Sequence, residues 1–412
     1  MNMFSVLRNA GYRKLFFGLT VSKLGDWFFM VSLPLLVYEL TESGTGMALA
    51  FVIEILPQVL FALIGGALAD QVNKKKMLVW GDLGSALIVS LIPLLYFTGH
   101  LEVWMVYAVA FLLASVTAFY HPSFESIIPE IVEKEELVKG NSLMRLTDTM
   151  MTFIGPAIAG VSIAMLGKVE TIMIDGVSFF LASVIMSTIS YAFVKRDGAK
   201  PKILEPIKEG LRFVRNNERI MAGSWLIFGI NVGFGAVEAL FMYYLADDLK
   251  LTSSQIGLVL SFQAIGPLGA AYLANRLKQA NRGYVMIISG LLIGAAQIGL
   301  IFSQSFIVAL LICQVIIKGA VVLLAINWFT LRQEIVPREM LGRVISSTRM
   351  IAFLALPLSG MIAGLLVEHL SIRTIFVTAG SIVVLCSLLG LRSSLVRTNA
   401  NLMAETGSQS GV

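Results

Sequence analysis

Long apolar stretches separated by short polar connections run along almost the whole chain. Twelve of them reach roughly 20 residues, the length that an α-helix needs to cross about 30 Å of hydrocarbon. They cover approximately residues 15–38, 46–69, 77–98, 101–122, 143–166, 171–194, 221–246, 254–275, 284–303, 306–330, 345–367 and 373–391. The pattern predicts an all-α polytopic membrane protein with twelve transmembrane helices.

Positive charge falls on one side of these helices. If both termini are cytoplasmic, the loops on the other side hold only Lys168, Lys250 and Arg373 of the 31 Lys and Arg residues. Short cytoplasmic loops retain positive charge, so we expect a multi-pass protein of the cytoplasmic membrane with both termini inside. The net charge of +5 then reflects this sidedness and attraction to membrane lipids, and not nucleic-acid binding.

A polar segment in the middle of the chain separates two sets of six predicted helices. It runs from Lys195 to Arg219 and holds eight basic residues and two prolines. The predicted organisation is a six-helix half over 1–194, a cytoplasmic linker over 195–220, a second six-helix half over 221–397 and a disordered tail over 398–412.

Short segments recur between the two halves at a nearly constant separation. Residues 68–70 (Leu-Ala-Asp) match residues 273–275 (Leu-Ala-Asn) at an offset of 205, and residues 129–132 match residues 333–336 at an offset of 204. These offsets indicate duplication and predict two pseudo-symmetric halves. Chance similarity between short loops rich in Glu and Arg is the alternative.

The connection between the second and third predicted helices carries a recognisable motif. It resembles the major facilitator signature Gly-x-Leu-Ala-Asp-Arg-x-Gly-Arg-Arg/Lys, and the matching residues are Gly66, Leu68, Ala69, Asp70, Lys74 and Lys75. Gln71 and Asn73 replace the usual Arg and Gly, which leaves the tight turn and one charge partner in question. The resemblance implies that Asp70 meets a cation or a helix N-terminus, and that this contact closes one face of the protein.

More narrowly, the chain is similar to the drug-exporting branch of that superfamily that includes macrolide efflux pumps and enterobactin exporters. The similarity lies in residues 22–27, 66–76, 118–122, 128–132, 141–143, 155–160 and 336–344. It implies the major facilitator fold and proton-coupled export of amphipathic small molecules, with macrolide-like drugs as the first candidate. A proton gradient would then take the place of any cofactor. Export of a siderophore or lysophospholipid is the alternative.

The fifth predicted helix carries a second motif. Gly155, Pro156 and Gly160 resemble a reduced form of the Gly-Pro motif of proton-coupled antiporters. The resemblance implies a helix interface that favours exchange over uptake. The alternative is a proline kink with small residues that allow close helix packing.

Ionisable side chains inside predicted spans are candidates for proton coupling or for the substrate cavity. Asp26 and Glu54 both fall near the middle of the bilayer. Desolvation favours the neutral form of a carboxyl group, so either residue could bind a proton outside and release it inside. Asp26 could instead form a structural ion pair with Lys23, one turn away. Glu54 has no cation one turn away and is the best single candidate for the proton carrier.

Lys318 also falls near the midplane and needs a carboxylate or a substrate anion to stay charged. Glu54 and Asp26 are its candidate partners, across the cavity. Glu238 and Asp175 are expected near the outer ends of helices 7 and 6, where water is close. Glu238 is included among the candidates for the substrate cavity, and either residue could belong to an outer gate.

Other charged residues are expected close to the cytoplasmic face. Together with Asp70, the candidates for an inner gate are Lys74, Lys75, Asp82, Arg145, Asp148, Arg343 and Arg349. Asn275 stands where the second half would repeat Asp70, so asymmetric gating is expected. Aromatic and Met residues at 27–30 and 241–244 suit either a deformable apolar cavity or contact with lipid.

Several other functions are disfavoured. The sequence contains no Gly-x-x-x-x-Gly-Lys-Ser/Thr phosphate loop, which argues against a primary pump. The histidines His100, His121 and His369 have no recognisable catalytic partners, so the chain is not expected to be an enzyme. Cys313 and Cys386 lack metal-ligand spacing, and no metal site is expected. We expect a monomer whose partners are the substrate, protons and lipids; a non-transporting sensor is the alternative class.

Overall fold

The structure of the protein is a computed structural model that describes residues 3–69, 73–191 and 204–396. Every regular element in these ranges is helical. The α-helices are α1 (Ala10–Thr41), α2 (Gly44–Ala69), α3 (Lys74–Phe97), α4 (Val103–Ile131), α5 (Leu137–Leu166), α6 (Lys168–Ser187), α7 (Leu204–Asn216), α8 (Glu218–Tyr243), α9 (Ser253–Phe262), α10 (Ile265–Arg276), α11 (Arg282–Gly299), α12 (Ile307–Ile335), α13 (Leu341–Leu366) and α14 (Ile372–Gly390). Short 3₁₀ turns cover Met3–Arg8, Lys134–Glu136, Leu300–Gln304 and Ser394–Val396.

Twelve helical stretches in the described ranges are long and apolar enough to cross a membrane. This confirms the predicted fold class. The seventh stretch joins α8 to a π-helical turn over Tyr244–Asp248, and the eighth joins α9 to α10. The α9–α10 break has a local cause, because Pro267 has no N–H to donate to the carbonyl oxygen of Gln263. The amide of Gly266 donates to that oxygen instead, at 3.2 Å.

The first of two compact units comprises Met1–Ile203 and Ala239–Phe262. In it α6 packs against α1 and α3, α4 packs against α2 and α3, and α5 packs against α1 and α9. Fully buried side chains such as Leu33, Leu36, Val89 and Ile172 fill the space between these helices.

The second unit comprises Leu204–Glu238 and Gln263–Val412. Here α11 packs against α12 and α14, α10 packs against α12, and the short α7 packs on α13. The division between the two units falls after Glu238, inside α8. Residues 195–203 of the expected linker and the expected tail at 398–412 lie outside the described residues, and the division of the chain at 195–220 stays a prediction.

Two helices at corresponding positions of the repeat begin with the same kind of cap. The side-chain oxygen of Asn73 accepts from the amide of Lys76 at 3.0 Å, and that of Asn281 accepts from Gly283 at 2.9 Å. Asn73 has φ −67° and ψ 107°, an extended conformation that does not require glycine. Asn73, which replaces the glycine of the signature, therefore serves as the N-cap of α3.

Replacing the cap of α3 tests this assignment. Asn73→Ala is expected to lower the free energy of unfolding by about 1 kcal/mol, because it leaves a first-turn amide without its acceptor. Asn73→Gly should cost only a few tenths of a kcal/mol, since glycine is a tolerated cap residue. Thermal unfolding of the purified protein in detergent compares the two variants. Equal losses would contradict the capping role.

Candidate functional site

A cavity of about 90 Å³ lies inside the first unit. Helices α1, α3, α4 and α6 supply its wall, which consists of Leu19, Ser22, Lys23, Asp26, Asp82, Ser85, Val116, Thr117, Tyr120, His121, Phe124 and Phe179. The wall therefore combines ionisable groups with aromatic rings, in a part of the chain that is otherwise apolar.

Asp26 projects from α1 and is exposed to this cavity. The ammonium group of Lys23 contacts the carboxylate of Asp148 on α5, and the guanidinium of Arg145 lies 3.9 Å from the other oxygen of that carboxylate. The structural pair proposed between Lys23 and Asp26 is therefore not the contact that Lys23 makes. Within this unit, none of the described side chains donates a hydrogen bond to Asp26.

Asp82 borders the same cavity from α3. Its carboxylate is 1 % exposed and accepts a hydrogen bond from the hydroxyl group of Tyr120 at 3.2 Å. Gly81 allows this approach, since a Cβ atom there would lie 2.8 Å from the Tyr120 ring. The sequence grouped Asp82 with the gate. Its position eight residues into α3, about 12 Å along the helix, places it with Asp26 instead.

Asp175 on α6 lies behind the cavity wall, next to α1. It is completely buried, one carboxylate oxygen is 3.4 Å from the hydroxyl of Ser178, and the other has no hydrogen-bond partner among the described residues. Gly25 makes room for this pair, because a Cβ atom there would overlap both side chains. The expectation that water is close to Asp175 is wrong. In the sequence, the close approach of Asp175 to α1 is signalled by Gly25, the glycine next to Asp26.

Glu54, the residue preferred as proton carrier, lies in α2 and is half-buried. It is not among the residues that line the cavity of Asp26 and Asp82. The structure therefore does not bring the two mid-membrane carboxylates of the first half together at that cavity, and the role of Glu54 stays a prediction.

The second unit contains an ion pair inside its membrane-spanning helices. The ammonium group of Lys318 on α12 lies 2.8 and 2.7 Å from the two carboxylate oxygens of Glu238 on α8, and 5.3 Å from the ring centroid of Phe234. Glu238 lies ten residues before the end of its span at Asp248, about 15 Å along the helix. The expected position of Glu238 near the outer end is corrected to mid-depth, and the partner of Lys318 is Glu238.

The first lysine of the signature forms a separate contact at the start of α3. Lys74 is buried, and its ammonium group donates to Glu130 at 2.7 Å and to the carbonyl oxygen of Ser126 at 3.0 Å. The second unit repeats this arrangement, because Arg282 at the start of α11 donates to Glu334 at 3.3 Å. Asp70 itself lies outside the described residues, Gly66 lies near the end of α2, and Lys75 is partly exposed.

The remaining gate candidates belong to the second unit and make different contacts there. Arg343 pairs with Glu209 on α7, and the guanidinium of Arg349 lies 5.0 Å from the centroid of the Phe353 ring. The candidates grouped by their depth in the sequence are therefore divided among several local contacts.

The helix-5 motif forms a close contact between α5 and α9. Pro156 and Gly160 lie against Gly257, where a Cβ atom on either glycine would overlap backbone atoms of the other helix. The amide of Ala157 donates to the hydroxyl of Ser261 across this contact at 3.0 Å. Gly155 faces the ring of Trp27 on α1. The small residues thus serve close packing, and their part in exchange stays a prediction.

Comparison with known proteins agrees with this architecture. The profile of a family described as transmembrane secretion effector matches residues 1–409. Macrolide efflux protein A of Streptococcus pyogenes is 24% identical in an alignment of 382 positions that covers 89% of this chain and 92% of that protein. Multidrug efflux pump Tap of Mycolicibacterium fortuitum is 26% identical in an alignment of 367 positions that covers 85% of this chain and 88% of that protein.

A solved structure shares the fold at low identity. The crystal structure of the nucleoside transporter NupG matches with a TM-score of 0.74 and 13% identity, over 95% of this chain and 99% of that one. Taken with the family match, the fold and the relatives, this chain is a multi-pass membrane transporter, not an enzyme, and it belongs to the transmembrane secretion effector family of the major facilitator superfamily.

Proposed function

We propose that the protein is a proton-coupled exporter of amphipathic small molecules that works by alternating access. It acts in the cytoplasmic membrane with both termini inside. The cavity that Asp26 and Asp82 share within the membrane-spanning helices carries this proposal. Ionisable groups at such depth are costly in free energy and mark paths for protons or substrates.

A carboxylate that is accessible from one side of the membrane at a time can couple the movement of protons to the movement of the substrate. Proton binding at Asp26 or Glu54 from outside removes the negative charge, and proton release inside restores it. The negative charge of the carboxylate is then available to the substrate when no proton is bound, and it is neutralised when a proton is bound. Within the second unit, a proton on Glu238 would weaken its pair with Lys318 and change the contact between α8 and α12.

The contacts at the ends of helices supply the gating elements of this proposal. The pairs Lys74–Glu130 and Arg282–Glu334 each join the start of one helix to the end of another in the same unit. In both pairs the glutamate is partly exposed, and an ion pair that reaches solvent on one side is worth little free energy, so these pairs can break and reform during transport.

Two relatives are a macrolide efflux protein and a multidrug efflux pump, which makes macrolide-like drugs the first candidate substrates. The experiment measures accumulation of labelled erythromycin in pump-deficient bacteria that express the wild-type chain or Glu54→Gln, with and without an uncoupler. We expect lower accumulation with the wild-type chain, and we expect both the uncoupler and Glu54→Gln to abolish that decrease. Glu135→Gln, an exposed carboxylate between α4 and α5, is the matched control and should behave as wild type.

Two other outcomes have definite meanings. Unchanged accumulation in cells with well-expressed wild-type protein would reject the macrolide assignment and favour a siderophore or lysophospholipid. Export that is abolished by the uncoupler but retained in Glu54→Gln would show that Glu54 is not the proton carrier. Asp26 would then be the next candidate.

A further inference from the structure

We propose that Arg332 and Arg349 in the second unit form a binding site for an oxyanion, the carboxylate or phosphate group of an amphipathic substrate. The inference rests on the proposed export function and extends its substrates to compounds that carry an acidic group. The site involves only α12 and α13, which belong to the same unit.

The two arginines lie on neighbouring helices at the same end of this unit. Arg332 lies three residues before the end of α12 at Ile335, and Arg349 lies eight residues after the start of α13 at Leu341, about 12 Å along that helix. Nη1 of Arg332 donates to the hydroxyl of Thr348, the residue before Arg349, at 2.8 Å. The two guanidinium charges are close enough to repel each other. An anion between them would offset this repulsion.

Among the residues that the structure describes, no carboxylate forms an ion pair with either arginine of the site. Two glutamates at this end of the unit pair with other arginines, Glu209 with Arg343 and Glu334 with Arg282. Arg332 is only 7 % exposed, so its charge lies in a medium of low dielectric constant without a counter-ion. Arginine stays protonated in proteins, so this charge is not removed by loss of a proton. The two arginines therefore favour a negatively charged occupant.

The internal repeat shows how the second half differs from the first at this place. At the offset of 204, Arg349 corresponds to Arg145 of α5. The guanidinium of Arg145 lies 3.9 Å from the carboxylate of Asp148, whereas Ala352 stands where the second half would repeat that aspartate. The first half has an isoleucine at the position of Arg332. The second half therefore keeps one cation, lacks its acid and adds another cation.

Aromatic rings contact the faces of both guanidinium groups and leave N–H groups at their edges. The guanidinium carbon of Arg332 lies 4.9 Å from the ring centroid of Trp328, and that of Arg349 lies 5.0 Å from the ring centroid of Phe353. Nε of Arg332 also donates to the carbonyl oxygen of Trp328 at 3.4 Å. A guanidinium carries five N–H groups in one plane, and its edge matches the geometry of a carboxylate or phosphate. Stacking on aromatic rings fixes that plane.

Arg349 lies on the side of α13 that faces away from lipid. Leu354, Leu358 and Leu365 are exposed on the same helix. With 3.6 residues in each turn, they lie about 140–180° around the helix from Arg349. A row of exposed leucines on a membrane-spanning helix is typical of the side that contacts lipid. The occupant is therefore expected to be a group of the transported molecule and not the head group of an anionic lipid.

The position of the site suits uptake of a substrate from the cytoplasm. If both termini are inside, the end of α12 and the start of α13 lie on the cytoplasmic side, where an exporter takes up its substrate. Lys318, another cation of α12, lies 14 residues from Arg332, about 21 Å along the helix, and is paired with Glu238. The acidic group therefore binds at the inner end of the unit, without Lys318.

The test measures binding of dansylaminoundecanoic acid, an amphipathic carboxylate, and of its methyl ester to the purified full-length protein in phosphatidylcholine nanodiscs. Wild type should bind the acid more tightly than the ester. Arg349→Gln should weaken binding of the acid by about tenfold, because a charge-assisted contact is lost. Arg349→Lys should lose less affinity, since it keeps the charge. Unchanged binding of the ester to Arg349→Gln would show that this variant is folded.

Arg338→Gln is the matched control. It removes the same charge from the exposed connection between α12 and α13, and it should bind the acid as wild type does. Equal binding of the acid and the ester by wild type would overturn the anion site. An affinity for the acid that is unchanged in Arg349→Gln would overturn it as well.

Nanodiscs that also contain phosphatidylglycerol distinguish a substrate site from a lipid site. The negative membrane surface should lower the affinity for the acid equally in wild type and in Arg349→Gln. A decrease in wild type that Arg349→Gln abolishes would show that an anionic lipid head group occupies the site, and would overturn the assignment to the substrate.

Export of two compounds from cells separates this inference from the proposed function. Erythromycin has no acidic group, so its export by the wild-type chain tests the proposed function without this site. Export of erythromycin without binding of the acid through Arg349 would overturn only the anion site. Binding of the acid through Arg349 without export of either compound would support the site and overturn the proposed export. Export of the acid that is lost in Arg349→Gln and kept in Arg338→Gln supports both.

Discussion

Lys318→Ala is expected to destabilise the protein more than any other single substitution considered for its charged residues. The substitution leaves Glu238 among membrane-spanning helices without the cation that holds both of its oxygens. Loss of one partner of a fully buried ion pair costs about 3–5 kcal/mol, and this pair is partly exposed, so a loss of about 3 kcal/mol at most is expected from the charge that is left uncompensated. Thermal unfolding in detergent should show a clearly lower midpoint than that of wild type.

A double substitution separates the ion pair from side-chain packing. Lys318→Met combined with Glu238→Gln removes both charges at similar volume and should recover most of the lost stability, since no charge is then left unpaired between these membrane-spanning helices. Lys76→Ala, at an exposed lysine of α3, should have little effect. If the double variant were as unstable as Lys318→Ala, the loss would be due to packing and not to charge.

Gly257→Val is expected to have the second large effect, on the contact between α5 and α9. Even a Cβ atom at Gly257 would overlap the carbonyl oxygen of Pro156, a backbone atom that cannot move aside as a flexible side chain does. Overpacking of this kind costs about 1–3 kcal/mol. We expect a lower unfolding midpoint and a loss of transport, because the hydrogen bond from Ala157 to Ser261 depends on the same close approach.

Gly84→Val is the matched control for this substitution. Gly84 lies in α3 of the same unit, and no heavy atom lies within 4 Å of a Cβ atom added there. Its effect on stability should therefore be small. Equal destabilisation by both substitutions would show that valine in the helices, and not the α5–α9 contact, is responsible.

The contact also bears on the helix-5 motif. A proline kink with close helix packing is the alternative to a role in exchange, and the structure shows the packing directly. Transport assays on Gly257→Val that are corrected for the amount of folded protein would then test the role in exchange. Normal transport per folded molecule would leave only the structural role.

Hydropathy alone was sufficient for the fold class. In lipid every backbone polar group must be satisfied within the segment, so a long apolar stretch becomes a helix whatever its neighbours are. The recurrence of residues 129–132 at 333–336 also identified Glu130 and Glu334 as equivalents. Each of these glutamates accepts a hydrogen bond from a cationic side chain at the first position of a neighbouring helix. Helix breaks followed from local chemistry too, as at Pro267.

The partners of the charged residues were decided only by the tertiary structure. Position along a helix determines depth, but it does not determine which neighbouring helix a side chain faces. For this reason the sequence offers Asp26 as an alternative partner of Lys23, whereas the structure pairs Lys23 with Asp148. The sequence likewise predicts a gate position for Asp82, which lies on the cavity. Short-range patterns therefore determined the spans and the repeat, while the rotation and packing of helices distant in sequence determined which charges meet.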